Sequence, residues 1–344
     1  MAKARRIKGI DCHAAATIGI RLVLIGRFEE MRKLRSDALN WEDPEGVHSM
    51  RVASRRLRSA MRDFMPYLRK RALLSSAKQI RDIADALGNV RDQDVGILAL
   101  EKLRADTPAD VSNVLDELIE VRRQERDEAR QRVKKTITSA RLKQLSSTFG
   151  EAINSATDDR RRKPAAESSL KYIDVARAVI LDRLEEVEKL SNSLYHPLDV
   201  EPLHDMRIAA KRLRYAIELF QECWGKDVLP FAQAVADLQL SLGELHDCDV
   251  WIDSFGKHAI ASKRKNQPDQ SDAFAWLLSY FMKVRNDCLI NAFAGWRRWE
   301  IENLSTKLRD ILTAKQLTSE PADQPTSEGP SAESAKVATE SPAG

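Results

Sequence analysis

The sequence predicts an all-α protein made of two four-helix bundles, which arose by internal duplication and contain long antiparallel helices. Only 13 Gly and 12 Pro occur among 344 residues, whereas 31% of the residues are charged. This composition is typical of long helices and argues against a β-sandwich. Apolar residues recur at spacings of three and four along both halves of the chain, which is the pattern of helices that pack in bundles. The two halves also resemble each other in sequence.

The internal repeat consists of three collinear matches. Residues 48–64 align without gaps to residues 204–220, with 9 identities among 17 positions. Two further matches flank this segment, at offsets of 156 and 155 residues: residues 20–34 with 176–190, and residues 87–95 with 242–250. Because the three matches occur in the same order at nearly the same offset, we interpret them as a duplication.

The repeat divides the chain into four regions. The first repeat spans residues 1–153 and the second spans residues 170–312. Between them, residues 154–169 are predicted to be a linker, because a basic run is followed by Pro164 and small residues. Residues 313–344 are acidic and rich in Pro, Ser and Ala, with too few apolar residues to offset the entropy of ordering, so we predict a disordered tail.

Each repeat is predicted to contain four helices, from the spacing of its apolar residues. In the first repeat they cover residues 11–39, 44–72, 74–103 (with an interruption near Gly88) and 109–149. In the second repeat they cover residues 170–194, 201–223, 227–258 and 271–312.

Charge and cysteine usage limit the classes of function and location. The last 32 residues hold two Lys and five acidic residues, so the rest of the chain has 54 basic and 47 acidic residues, a net charge of +7. An anionic partner would therefore be bound by a local patch and not by overall charge. The longest apolar stretch, residues 274–282, is about half as long as a membrane-spanning helix. We expect a cytoplasmic protein, because polar residues interrupt the N-terminal segment that would form a signal peptide.

Four cysteines are scattered along the chain without CxxC spacing: Cys12, Cys223, Cys248 and Cys288. Their spacing predicts neither a zinc site nor a disulfide framework, and it suits a reducing compartment.

A basic stripe follows one face of the second helix of each repeat. In the first repeat, steps of three and four residues from His48 select only basic side chains: Arg51, Arg55, Arg58 and Arg62. One position earlier, the same steps select a mostly apolar face: Val47, Met50, Ser54, Leu57, Met61 and Phe64. The second repeat has a matching basic series beside an equally apolar face: His204, Arg207, Lys211 and Arg214. Both basic stripes are therefore predicted to border the core.

Like charges at these spacings repel each other, so the stripes need an explanation. One explanation is neutralisation by carboxylates of neighbouring helices, for which the candidates are Glu29, Glu30, Glu185, Glu186, Asp92, Asp94, Asp247 and Asp249. The other is that the stripes form ladders of donors for an extended polyanion, because Arg and Lys side chains both bind phosphate oxygens. His48 and His204 begin the two stripes, and their cationic neighbours favour the neutral imidazole.

At these residues the chain resembles the CHAD family, an α-helical domain named for its histidines. The family pattern is His-x-x-Arg-Val/Ile-x-x-Arg/Lys-Arg-x-Arg, followed by Leu-Gly-x-x-Arg-Asp-x-Asp-Val. The first element fits both repeats: His48, Arg51, Val52, Arg55, Arg56 and Arg58, and His204, Arg207, Ile208, Lys211, Arg212 and Arg214. The second element fits residues 87–95, and the resemblance as a whole covers roughly residues 10 to 312.

The resemblance implies two four-helix bundles related by a pseudo-twofold axis, with a basic central surface or pore that binds inorganic polyphosphate. Members of the family are binding modules, so no catalytic residue, metal or cofactor is expected, and association with polyphosphate granules is left open. The polyphosphate ligands implied are His48, Arg51, Arg55, Arg58, His204, Arg207, Lys211 and Arg214. Secondary binding residues are Arg56, Arg212, Arg62, Arg91 and Lys78.

The chain departs from the family picture in three ways. Family members are often fused to a triphosphate-cleaving barrel domain, for which this chain has no room, so triphosphatase activity is not expected. His246 replaces the basic residue that the first repeat has as Arg91, and Glu218 stands where the first repeat has Arg62. We therefore expect the second repeat to bind more weakly or with a stronger dependence on pH.

Three alternatives are open from the residues alone. A metal-dependent phosphohydrolase would use the adjacent His246 and Asp247, although such sites need several His and Asp ligands. A nucleic-acid-binding protein would use the basic stripes, but the stripes have only Tyr215 beside them and single-strand binders usually interleave aromatic residues with cations. A scaffold protein would recruit partners through Trp296, Trp299 and the acidic tail.

Overall fold

The computed structural model describes residues 6–158 and 170–314. Over these ranges the chain forms eleven α-helices and a few short 3₁₀ turns, and the only extended pairing is a single antiparallel bridge between Ala15 and Lys171. The prediction of an all-α protein is confirmed. No helix in the described ranges combines the length and the apolar character that crossing a bilayer requires.

Six helices belong to the first repeat. They are α1 (Ala16–Lys33), the short α2 (Arg35–Ala38), α3 (Pro44–Phe64), α4 (Lys70–Arg104), α5 (Ala109–Thr136) and α6 (Ser139–Ala156). Helices α4 and α5 form a long hairpin, and α6 packs against α4 and α1.

Five helices belong to the second repeat. They are α7 (Tyr172–Leu190), α8 (Val200–Phe220), α9 (Leu229–Arg264), α10 (Pro268–Ile301) and α11 (Leu304–Thr313). Helices α9 and α10 form a second long hairpin. Helices α7, α8 and α9 thus follow one another at the positions that the repeat offset assigns to α1, α3 and α4.

The prediction of one continuous fourth helix in each repeat is wrong, because each of these segments forms two helices. The predicted helix at 109–149 is two helices, because Ile137 leaves the helical conformation and the Thr138 hydroxyl then caps α6 by accepting a hydrogen bond from the Arg141 N–H at 3.3 Å. The predicted helix at 271–312 ends at Ile301, where Asn303 adopts a left-handed φ of 52° that terminates the helix.

The interruption predicted near Gly88 is also wrong, since α4 continues through this residue. Gly88 is buried, and the Arg51 side chain lies over it: a Cβ built at Gly88 would be 3.7 Å from Arg51 Nε. A mid-helix glycine costs about 1 kcal/mol, so it weakens a helix without having to end it where the helix also packs on a neighbour, as α4 does on α3.

The two repeats share one main core, and Met1–Thr313 forms a single compact unit. At its centre, Phe64, Tyr172 and Phe220 pack together with ring centroids 5.5 to 6.3 Å apart. The Tyr172 ring lies so close to α1 that a Cβ built at Gly19 would be 2.3 Å from it. The predicted linker at 154–169 is wrong at its start, because α6 continues to Ala156, and its residues 159–169 lie outside the described residues. The predicted tail at 313–344 begins with the last residue of α11, and its remainder from 315 also lies outside them.

A second, smaller core joins the tips of the two hairpins. We call it the hairpin core; it contains Ile97, Leu100 and Leu103 of α4, Val111, Val114, Leu115 and Ile119 of α5, Phe255 of α9, and Ala273, Phe274 and Leu277 of α10. Because α3 also packs on α8 within the main core, the repeats contact each other at two separate places.

The prediction that the cysteines form no disulfide is wrong for one pair. Cys12 and Cys223 form a disulfide with a Cα–Cα distance of 5.6 Å, which is within the usual range. The backbone brings them together, because the Ile173 N–H donates to the carbonyl oxygen of Cys12 at 2.9 Å and thereby ties this segment to the second repeat. Cys248 and Cys288 are buried free thiols.

Candidate functional site

Helix α3 positions the first basic stripe. The Asp43 carboxylate caps the helix by accepting a hydrogen bond from the Glu45 N–H at 2.9 Å, and Pro44 occupies the first helical position. The apolar face that contains Met50 and Leu57 is fully buried in the main core. As the sequence predicts, the side chains of the basic stripe are half-buried along the edge of this face.

Helix α8 positions the second basic stripe in the same way. Its apolar face, which includes Met206 and Leu213, is buried in the main core. Packing of α3 on α8 brings the middle of the two stripes together. Arg55 lies close enough to Arg207 and Lys211 that its charge lowers the pKa of both, in addition to the larger effect of burial.

Three basic side chains lie at this junction: Arg55, Arg207 and Lys211. We call this group the cationic centre. Among the described residues, none of the three forms an ion pair. Burial lowers the pKa of the Lys211 ammonium from 10.5 to about 7, and the charges of Arg55, Arg207 and Arg51 add to this effect. The structure therefore concentrates positive charge in a partly buried place where, among the described residues, no carboxylate forms an ion pair with it; this is costly unless an anion binds there.

Helices α4 and α9 supply the carboxylates that do approach the stripes. Arg51 donates to Asp92 at 3.0 Å. Asp247 faces Arg207: burial raises the pKa of this carboxyl group and the charge of Arg207 lowers it. Gly243 lies under Arg207, since a Cβ built there would be 3.9 Å from Arg207 Nε, just as Gly88 lies under Arg51. The prediction that neighbouring carboxylates approach the stripes thus holds for Arg51, which forms an ion pair, and for Arg207, which Asp247 faces without forming one.

The histidines lie at the ends of the two stripes. His48 Nδ1 is buried without a hydrogen-bond partner among the described residues, and burial followed by the charge of Arg91 lowers its pKa. His204 Nδ1 lies 3.1 Å from His246 Nδ1, so one ring donates and the other accepts. Burial and then Arg207 lower the pKa of both imidazoles, that of His246 to about 4. All three are therefore neutral near pH 7.

Arg58 and Arg214, the remaining two of the eight polyphosphate ligands implied by the resemblance, are paired with carboxylates of a neighbouring helix and of the same helix. Arg58 donates to Asp85 of α4 at 3.3 Å. Arg214 is buried, pairs with Glu218 at 3.4 Å and lies over the Tyr215 ring at 5.2 Å. Both residues thus belong to the stripe in sequence, but their charge is partly compensated in the structure.

The secondary residues are dispersed. Arg62 pairs with the fully buried carboxylate of Asp63 at 3.0 Å, and Arg212 pairs with Glu186 of α7. Arg56 lies near Glu218 and Glu30, whose charges oppose the lowering of its pKa by burial. Arg91 stands beside His48, whereas Lys78 is exposed on the early part of α4. Of these residues, the structure brings Arg91 to a stripe most directly.

The sequence analysis missed the pairing of His204 with His246, which are 42 residues apart. The repeat alignment contains the signal, because His246 matches Arg91, and Arg91 stands beside the equivalent His48 in the first repeat. His246 and its neighbour Asp247 face different partners, and no group of three or more His, Cys, Asp or Glu side chains within the described ranges is close enough together to hold a metal ion.

The aromatic residues of the alternative functions are buried. Tyr215 is 7% exposed and lies under Arg55, whose Cζ is 5.9 Å from the ring centroid. Trp296 and Trp299 are each 4% exposed and belong to the main core, where their rings stack. None of the three is available to stack on a nucleic-acid base or to act as an exposed anchor for a partner protein.

Comparisons with known proteins agree with this architecture. The family described as the CHAD domain matches residues 23–255. The crystal structure of the CHAD domain from the plant Ricinus communis superposes with a TM-score of 0.64 at 23% identity, covering 86% of this chain and 96% of that one. The structure of PptA from Streptomyces chartreusis superposes with a TM-score of 0.58 at 15% identity, covering 83% of this chain and all of that one. No curated protein sequence matches significantly. The family match extends over more than half of the chain and includes both basic stripes, so the chain belongs to the CHAD domain family.

Proposed function

We propose that this protein binds inorganic polyphosphate at the cationic centre and along the basic stripes that meet there. The observation that carries the proposal is the absence of an ion pair to Arg55, Arg207 or Lys211 among the described residues, although all three approach one another. A chain of phosphate groups supplies a row of anionic oxygens without bases, which suits donors repeated at helical spacing. Association with polyphosphate granules would be the cellular counterpart of this binding.

The protein acts in this proposal as a binding module and not as an enzyme. Arg51, Arg55, Arg207 and Lys211 donate charge-assisted hydrogen bonds to phosphoryl oxygens near the junction of α3 and α8. His48 and His204, neutral near pH 7, each donate one further hydrogen bond at the ends of the stripes. The burial of Tyr215 favours polyphosphate over single-stranded nucleic acid, because this ring, the aromatic side chain that the sequence places beside the stripes, is not available to stack on bases.

Calorimetric titration with long-chain polyphosphate tests the proposal. The variant Arg55→Gln/Arg207→Gln/Lys211→Gln removes three charges from the cationic centre. If each contributes about 1 kcal/mol through charge-assisted hydrogen bonds, its affinity should fall about 100-fold. The slope of log affinity against log salt should become shallower by about 2, since three fewer phosphates are neutralised.

The matched control is Arg71→Gln/Arg132→Gln/Lys143→Gln, which removes two arginines and one lysine from exposed positions. It should bind like the wild-type protein. Equal binding by both variants, while both keep their helical circular dichroism, would contradict the proposal. Single-stranded DNA that competes on equal terms with polyphosphate would instead favour the nucleic-acid alternative.

A cytoplasmic location is also proposed, and the Cys12–Cys223 disulfide provides its test. Disulfides persist in oxidising compartments and are rare where thiols are kept reduced. Thiol alkylation of intact cells before lysis, followed by mass spectrometry, should find both cysteines alkylated in a cytoplasmic protein. Recovery of the intact disulfide under these conditions would contradict a reducing location.

A further inference from the structure

A groove lies along the outer face of α1, where the segment that precedes the helix forms one wall. Its volume is about 700 Å³. Ile18, Leu22 and Ile25 line it at spacings of four and three, and Ile18 and Ile25 are 55% and 36% exposed. Ile7 of the preceding segment lies directly over Gly26, because a Cβ built there would be 2.7 Å from Ile7 Cδ1. The groove is thus concave and has an apolar floor.

The rim of the groove carries an excess of positive charge. Lys8, Arg21 and Lys33 line it, and none of them forms an ion pair among the described residues. The acidic side chain on the rim, Glu29, is already paired with Arg32 at 2.6 Å. The groove therefore offers three uncompensated cations around an apolar floor.

The equivalent helix of the second repeat lacks these features. Asp174 and Ala178 of α7 occupy the positions that match Ile18 and Leu22 of α1 at the offset of 156. Arg177, the counterpart of Arg21, is held by Asp174 at 3.1 Å and by the carbonyl oxygen of Leu312 at 2.6 Å. Only Leu181, which matches Ile25, keeps a large apolar side chain at the three positions. Since the same helix folds in the second repeat with Asp174 and Ala178 at the other two, the fold does not require the apolar floor of the groove on α1.

We propose that this groove binds a short amphipathic helix of a partner protein, with apolar side chains facing Ile18, Leu22 and Ile25 and acidic side chains facing Lys8, Arg21 and Lys33. Apolar anchors at helical spacing in a concave groove are the features by which proteins recognise amphipathic helices. From Ile18 to Lys33 the groove is about 22 Å long, which matches about four helical turns. This site is on α1 and is separate from the cationic centre.

Fluorescence anisotropy with a synthetic probe tests the inference. The probe is a labelled 16-residue helical peptide with leucines at successive spacings of four, three and four and with glutamates on both flanks; a second peptide has lysines in place of the glutamates. The variant Ile18→Asp/Leu22→Ala replaces two groove residues of the first repeat by the residues found at the matching positions of the second repeat. Ile260→Asp, which changes an equally exposed isoleucine of α9, is the control.

The acidic peptide should bind the wild-type protein and the Ile260→Asp control, and should bind the double variant at least about tenfold more weakly. The basic peptide should not bind. Polyphosphate binding of the double variant should stay unchanged, because the groove is outside the cationic centre. Its melting temperature should change little, because Ile18 is exposed and Leu22 is only half-buried. Absence of binding at about 1 mM acidic peptide, or equal binding by the double variant, would overturn the inference.

Two other occupants would also overturn it. Concentration-dependent dimerisation in sedimentation velocity that the double variant abolishes would assign the groove to a second copy of this chain. Binding of the wild-type protein to vesicles of phosphatidylglycerol that the double variant loses would assign it to a membrane surface.

Discussion

Replacing Lys211 by methionine removes one charge from the cationic centre and keeps the length of the side chain. Burial and four neighbouring arginines lower the pKa of this lysine from 10.5 to about 7. At 1.36 kcal/mol per unit, this shift corresponds to about 5 kcal/mol of destabilisation when the lysine is protonated. Water reaches part of the side chain and relaxation reduces the penalty further, so we expect Lys211→Met to raise the free energy of unfolding by about 2 kcal/mol.

The pH dependence gives this prediction its sign. Because the pKa of Lys211 is lower in the folded than in the unfolded state, the unfolded state binds more protons between about pH 7 and pH 10, and the stability of the wild-type protein rises over this window. The advantage of Lys211→Met is therefore largest below pH 7 and disappears near pH 10. Polyphosphate would restore the charged lysine, so the affinity of the wild-type protein should fall as the pH rises above about 7, whereas that of Lys211→Met should fall less.

Thermal unfolding followed by circular dichroism at about pH 6 and pH 10 measures both effects. For a protein of this size, 2 kcal/mol corresponds to a rise of about 4 °C in Tm at the lower pH. Lys143→Met, which changes an exposed lysine of α6, is the matched control and should leave Tm nearly unchanged. The reasoning is refuted if Lys211→Met melts at a lower temperature than the wild-type protein, or if its advantage is the same at both pH values.

Three further predictions concern the histidine pair, the disulfide and one helix contact. His246→Arg places in the second repeat the residue type of the first and should raise polyphosphate affinity by about 1 kcal/mol, or fivefold, near neutral pH; calorimetry that finds weaker binding contradicts it. Cys12→Ser opens a disulfide between residues 211 apart, so unfolding free energy should fall by about 2 to 5 kcal/mol, and dithiothreitol should then cause no further loss of Tm. Gly46→Ala should destabilise the protein by about 2 kcal/mol in urea unfolding despite the higher helix propensity of alanine, because the new Cβ would be 2.0 Å from the carbonyl oxygen of Asp37; a gain in stability would contradict the contact.

The periodicity of the sequence was sufficient to predict the helices that carry the site. The predicted helices at 44–72 and 201–223 correspond to α3 and α8. In both, the apolar series is buried and the basic series is half-buried, except for Arg214, which is buried. This succeeds because 3.6 residues per turn fixes which side chains share a face, whatever the rest of the fold does.

The positions at which helices end were harder to predict from the sequence. Asn303 and Ile137 lie within otherwise helical patterns, and neither is a glycine or proline. Conversely, Gly88 interrupts the pattern and not the helix, because burial against Arg51 and the rest of α3 outweighs its poor helix propensity.

The sequence by itself determined the fold class, the repeat and the face of each helix on which the basic residues lie, since these depend on composition and on spacings of a few residues. Only the tertiary structure decided that Arg55, Arg207 and Lys211 meet without an ion pair among the described residues, while Arg58 and Arg214 pair with Asp85 and Glu218. It likewise decided which cysteines pair across 211 residues. These outcomes depend on how α3 packs against α8 and how the hairpins pack at their tips, and such contacts between residues far apart in sequence have no local signature in the chain.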